Sequence, residues 1–172
     1  GYVQGVAPSG GRQMNYVMVT GAMGAGKSTL IRSLPERGVF TPPPDVPEMF
    51  LDNACSCQGQ QFYEIDEPTA LGGRWIDWLG AANAFLLVAD AEAGPTAVES
   101  LLARLILVSA ETPCLLVVSR WSGGRRNTWQ LPGVVAVELL SPGTVLDEER
   151  ALAQPEEMER ILTQLQQLLE AA

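Results

Sequence analysis

The sequence predicts an α/β domain, a mostly parallel central sheet with helices on both faces. Short apolar runs ending in an acid or a hydroxyl residue recur at Phe62 to Asp66, Ala84 to Asp90 and Cys114 to Ser119, the pattern of strands buried on both sides. Stretches with apolar residues at helical spacing alternate with them, which implies right-handed crossovers. A single glycine-rich turn, Gly21 to Gly26, joins the first strand to the first helix. In such sheets ligands gather at the carboxyl ends of the strands.

The elements follow in order. Asn15 to Thr20 reads as a short apolar strand, and Lys27 to Leu34 as the helix after the glycine turn. Thr41-Pro42-Pro43-Pro44-Asp45-Val46-Pro47 forbids a regular element, because its prolines lack backbone donors, and is expected to be an exposed loop. Strands follow at Phe62 to Asp66 and Ala84 to Asp90. Pro95 suits the first turn of a helix in which Val98, Leu101, Leu102, Leu105 and Val108 share one face. Cys114 to Ser119 and Val134 to Leu140 read as two more strands. The last helix starts near Pro155 and carries a stripe of Met158, Ile161, Leu162, Leu165, Leu168 and Leu169, expected to pack on the sheet.

At 172 residues the chain is the size of one domain. Residues 1–13 are glycine-rich and patternless, a flexible arm or an appended remnant, and 14–172 form the folded unit. Hydrophobic residues make up 47% and charged residues 18%, which excludes a disordered tail or a coiled coil. The net charge of −9 repels nucleic-acid backbones and anionic membrane surfaces, so neither is expected as a partner. The richest apolar stretch is interrupted by Arg104 and Glu111, and the chain shows no signal-peptide layout and no prenylation cysteine. Cys55, Cys57 and Cys114, without any histidine, make a poor metal set and read as reduced thiols of a cytoplasmic protein.

Gly21-Ala22-Met23-Gly24-Ala25-Gly26-Lys27-Ser28 satisfies the P-loop pattern, in the strand-to-helix context that the pattern requires. Glycines let backbone N–H groups turn inward around phosphate oxygens, at the positive end of a helix. Lys27 is expected to reach the β- and γ-phosphates and the Ser28 hydroxyl to coordinate Mg²⁺, with Thr29 completing the loop's contacts. The strand Phe62 to Asp66 ends in Asp66-Glu67-Pro68, and Asp66 is the acid expected opposite Ser28 at the metal. Glu67 is a candidate general base, since an acid directly after the metal-binding one polarises water in many P-loop ATPases.

In the order of these elements the chain resembles the Ras-like small GTPases and their bacterial relatives over about residues 14–172. That resemblance implies a three-layer Ras-like P-loop fold and a molecular switch that binds Mg²⁺-GTP, or GDP after slow hydrolysis, and signals to a protein effector or regulator. It makes the loop around Thr41 a first switch, with Thr41 a metal ligand, and Asp66 to about Trp78 a second. Ser119-Arg120-Trp121-Ser122 stands where the family carries Asn/Thr-Lys-x-Asp, so Ser119, Arg120 and Trp121 flank the expected base site without a carboxylate to read guanine. Thr69 replaces the glycine three residues after the acid, and Ala70 stands where a glutamine often orients water. ATP or ADP therefore stays open as the ligand. Two other readings fit the residues: an ATP-dependent small-molecule kinase or ATPase, in which Arg120, Arg125 and Arg126 would belong to a lid, and a degenerate nucleotide-binding interaction module.

Overall fold

The computed structural model describes residues 14–44, 46, 51, 53–66, 75–141 and 154–171. Along the chain the elements are β1 (Asn15–Gly21), α1 (Lys27–Arg32), β2 (Ala54–Cys57), β3 (Gln60–Asp66), α2 (Trp75–Ala81), β4 (Ala84–Asp90), α3 (Thr96–Val108), β5 (Cys114–Ser119), a 3-10 turn (Arg126–Trp129), β6 (Ala136–Leu139) and α4 (Pro155–Ala171). They build one six-stranded sheet in the order β2-β3-β1-β4-β5-β6, parallel except for the edge pair β2–β3. The three-layer architecture expected from the alternation is present.

Strand alternation divides the core. Met18, Tyr63, Ile65, Phe85, Leu87, Leu116 and Val118 meet Trp78 and Leu79 of α2 and Val98, Leu101, Leu102 and Leu105 of α3. On the other face Val17, Val19, Phe62, Leu86, Val88, Leu115 and Val117 meet Leu30 and Ile31 of α1 and Met158, Ile161, Leu162 and Leu165 of α4. Each fully buried side chain of this kind contributes about 1.5–3 kcal/mol over its exposed state. The stripe of α4 is therefore core packing, as its periodicity predicts, while Val108, the last residue of α3, is exposed.

Besides the 3-10 turn, two elements were not expected. β2 is four residues long with no β-branched side chain, and its pairing to β3 over Ala54↔Tyr63 to Cys57↔Gln60 makes it a strand. α2 begins inside the stretch assigned to the second switch and runs past its end, and it is held by Trp78, whose backbone oxygen accepts a hydrogen bond from Tyr63 Oη at 2.5 Å. α1 stops at Arg32 rather than Leu34, where the Ser33 amide and hydroxyl both bond the Thr29 carbonyl oxygen. The three cysteines are free and buried, and burial pushes the Cys114 thiol up to about 12, which makes it a packing residue rather than a nucleophile. Among the described residues no helix is long and apolar enough to cross a membrane.

Candidate functional site

The sheet order places β1 between β3 and β4, so the chain leaves β1 to one side and returns on the other. The crevice at this switch point is where ligands bind in open α/β sheets, and the glycine-rich loop sits in it. Gly21 pairs with Asp66 of β3 and Val88 of β4, and a Cβ on it would run into the Val88 carbonyl oxygen. Only glycine allows that approach. Gly26, at φ 112°, turns the loop into α1 through the left-handed region, and its carbonyl oxygen accepts the first helical bond, from the Leu30 amide at 2.9 Å.

Lys27 folds back along this loop. Its ammonium donates to the carbonyl oxygens of Gly21 at 2.8 Å and Ala22 at 3.1 Å and lies 3.4 Å from Asp66 Oδ1, with the side chain only 4% exposed. Three oxygens for three N–H donors hold the charge at the mouth of a 390 Å³ cleft, which Gly24, Gly26, Ser28, Glu64 and Asp66 help to line. Met23 and Thr29 border the same cleft, and Met23 stands exposed at the loop tip. A larger hollow of 910 Å³ lies elsewhere, between Pro35, Gln58 and the Met158–Leu162 face of α4. It lacks a glycine loop and a cation, so size does not locate the chemistry here.

Asp66 thus meets Lys27, while the Ser28 hydroxyl donates to Glu64 Oε1 at 2.8 Å. The Asn53 amide joins them, with Nδ2 2.9 Å from Glu64 Oε1 and 3.3 Å from Ser28 Oγ. Neither Glu64 nor Asn53 was singled out in the sequence. The available signal was the strand alternation, which sets Glu64 on the same face as Phe62, toward α1.

Thr41, expected as a metal ligand, lies apart from this group. Its amide donates to Gln61 Oε1 at 2.8 Å and its carbonyl oxygen accepts from Tyr16 Oη at 3.0 Å. Tyr16 and Gln61 pair with each other five residues before Gly21 and Asp66, roughly 17 Å away at the usual strand rise. Phe40 explains the placement: its ring packs edge-on against Tyr16 and Tyr63 and tilted against Trp78, with centroids 6.2–6.4 Å apart, pulling the loop toward the amino ends of the strands. Glu67, Thr69, Ala70 and the 1–13 segment lie outside the described residues.

At the end of β5, Ser119 Oγ reaches the carbonyl oxygens of Ala25 in the loop, at 2.8 Å, and Ala89, at 3.1 Å. Arg120, at φ 56°, turns back and forms a two-point pair with Asp90, through Nε at 3.2 Å and through Nη2 to Oδ2. Trp121 packs against the α3 side of the core and, with Ser122 and Arg125, lines a separate 300 Å³ cleft. Ser119 therefore belongs to the loop's support, and Arg120 and Trp121 to the neighbouring hollow.

No family model and no curated protein sequence matches the chain. Solved structures resemble it in fold. The G domain of the FeoB iron transporter of T. maritima matches with a TM-score of 0.53 over 87% of this chain and 99% of its own, at 19% identity. A GTP-binding protein from the hyperthermophilic archaeon Sulfolobus solfataricus, in complex with GDP, matches at 0.54 over 91% of this chain and 53% of its own, at 14% identity. Era of Aquifex aeolicus bound to GDP·AlF4⁻ matches at 0.53 over 87% and 56%, at 17% identity. The chain thus spans nearly the whole of the first and about half of the other two. The fold is that of the Ras-like P-loop GTPases.

Proposed function

We propose that the chain binds the phosphates of GTP and GDP in the cleft at the end of β1 and works as a molecular switch that hydrolyses GTP slowly. The observation that carries this reading is Lys27, held by loop carbonyls beside a turn that only glycine can make, at the switch point of a Ras-like sheet. An ammonium so placed needs little rearrangement to meet β- and γ-phosphate oxygens, and the glycine loop offers backbone N–H groups to the rest. The guanine nucleotides bound to the matching structures support GTP over ATP.

Ser28, Glu64 and Asp66 form a hard-oxygen set that suits Mg²⁺, which favours few protein ligands beside phosphate oxygens. When bound there it would neutralise charge on the β- and γ-oxygens. Hydrolysis adds water at the γ-phosphorus, breaks the bond to the bridging oxygen and leaves GDP and phosphate. With Ala70 in place of a water-orienting glutamine, the rate without a helper protein is slow, and the output is binding to a protein effector or regulator in the cytoplasm.

One observation favours a second reading, a nucleotide site with little choice of base. Ser122 offers no carboxylate to the guanine edge, and Arg120 is engaged by Asp90. Calorimetric titration with GTP, GDP, ATP and ADP, with and without Mg²⁺, tests both. Guanine nucleotides binding preferentially is the expected result. Equal binding of ATP would establish the second reading, and binding of none would overturn the P-loop assignment.

A further inference from the structure

We infer that Ser28 and Glu64, rather than Ser28 and Asp66, hold the cation that accompanies the nucleotide, and that the Asn53 amide occupies the cation's place between their oxygens until it arrives. This assignment rests on the P-loop reading of the same cleft.

A serine that ligates a metal through an oxygen lone pair must donate its proton elsewhere. In this chain the acceptor is Glu64 Oε1, at 2.8 Å. Asp66 is committed differently: its Oδ1 lies 3.4 Å from the Lys27 ammonium, and its side chain is 37% exposed. The two acids of β3 are thus divided, one to the fixed cation of the protein and one to the hydroxyl.

Glu64 is the buried acid of β3. It is 4% exposed, in a strand whose other buried residues, Gln60, Gln61, Phe62, Tyr63 and Ile65, are uncharged, yet it lines the phosphate cleft. A carboxylate buried this deeply is costly unless donors or a cation offset its charge. Among the described residues the donors in contact are both neutral, the Ser28 hydroxyl and the Asn53 amide.

Asn53 Nδ2 donates at once to Glu64 Oε1 and to Ser28 Oγ, so a positively polarised group bridges the two oxygens that a divalent ion would bridge. Its backbone is fixed beside them by the bond from the Glu64 amide to the Asn53 carbonyl oxygen at 2.8 Å. Rotation of the side chain alone vacates the position. One hydroxyl and one carboxylate, completed by phosphate oxygens and water, match the way Mg²⁺ is bound beside nucleotides.

The test is a titration of Mn²⁺, followed by electron paramagnetic resonance, into the full chain saturated with GDP. Glu64→Gln is expected to weaken Mn²⁺ on the order of 10- to 100-fold, whereas Asp66→Asn should weaken it far less. Asn53→Ala is expected to tighten Mn²⁺ binding, a gain that misfolding cannot imitate. The reverse ranking of the two acids overturns the ligand assignment, and unchanged or weaker binding in Asn53→Ala overturns the placeholder. GDP affinity measured in chelator separates the two levels. If the wild type binds no GDP with or without metal, the P-loop reading falls. If it binds GDP while Glu64→Gln leaves Mn²⁺ untouched, only the present inference does.

Discussion

At the end of β1 the chain turns through Gly21–Gly26 with Lys27 held by three oxygens around a polar cleft; at the end of β5, the cationic residue that follows the strand turns away and pairs with Asp90. Both regions sit at carboxyl ends of parallel strands, and β4 lies between them. Their difference lies in what their charges are free to meet. Phosphates are common to every nucleotide, so on the proposed reading the first region would supply affinity without identity, whereas a base-reading region would have to present unpaired donors and acceptors to one edge. Here Arg120 and Asp90 satisfy each other. Because that pair closes on itself, the end of β5 carries no uncompensated charge from it.

The strongest way to break this comparison is Lys27→Ala. Hydrogen bonds to charged groups are worth about 1.5–3 kcal/mol, so losing the ammonium should weaken GTP and ATP alike by about 10- to 150-fold for each bond lost. The variant also leaves Asp66 facing the phosphates without its cation, which adds repulsion. Calorimetry on both nucleotides checks it; an effect confined to one base would show that the two regions are not separable. Ser122→Asp sharpens the comparison from the other side. It offers a carboxylate to the guanine N1–H and N2–H groups, and the ratio of GTP to ATP affinity should rise at least about tenfold, the low end for one of the two charge-assisted hydrogen bonds. A ratio that stays fixed would place the base away from Ser122.

How far the sequence was legible follows the same division. The strands at 84–90 and 114–119 announce themselves because burial on both faces demands continuous apolar runs, and the P-loop because its backbone path tolerates only glycine at Gly21. β2 could not be read, since Ala54-Cys55-Ser56-Cys57 has no strand preference and its pairing is supplied by Gln60 to Tyr63. Glu64 was visible as a strand residue, but its contact with Ser28 spans 36 positions in sequence and depends on depth and angle that no local pattern encodes. Thr41 was placed by the order of elements alone, and the aromatic packing of Phe40, together with Tyr16 and Gln61, decided its position instead. Order predicts topology; it does not predict which end of a strand a loop is drawn to.

Among the described residues a hydroxyl links the two regions. Ser119 Oγ shares its single proton between the carbonyl oxygens of Ala25, inside the loop, and Ala89, at the end of β4, and the residue is 5% exposed. It therefore joins the end of β4 to the glycine-rich loop. Ser119→Ala should lower unfolding stability by about 1 kcal/mol, the net worth of one buried neutral hydrogen bond, seen as a lower denaturant midpoint with unchanged slope. Its effect on binding distinguishes support from recognition. Loosening the Ala25 segment weakens GTP and ATP equally and slightly, whereas a residue that read the base would weaken one of them; the measured ratio therefore assigns Ser119 to one side of the cleft.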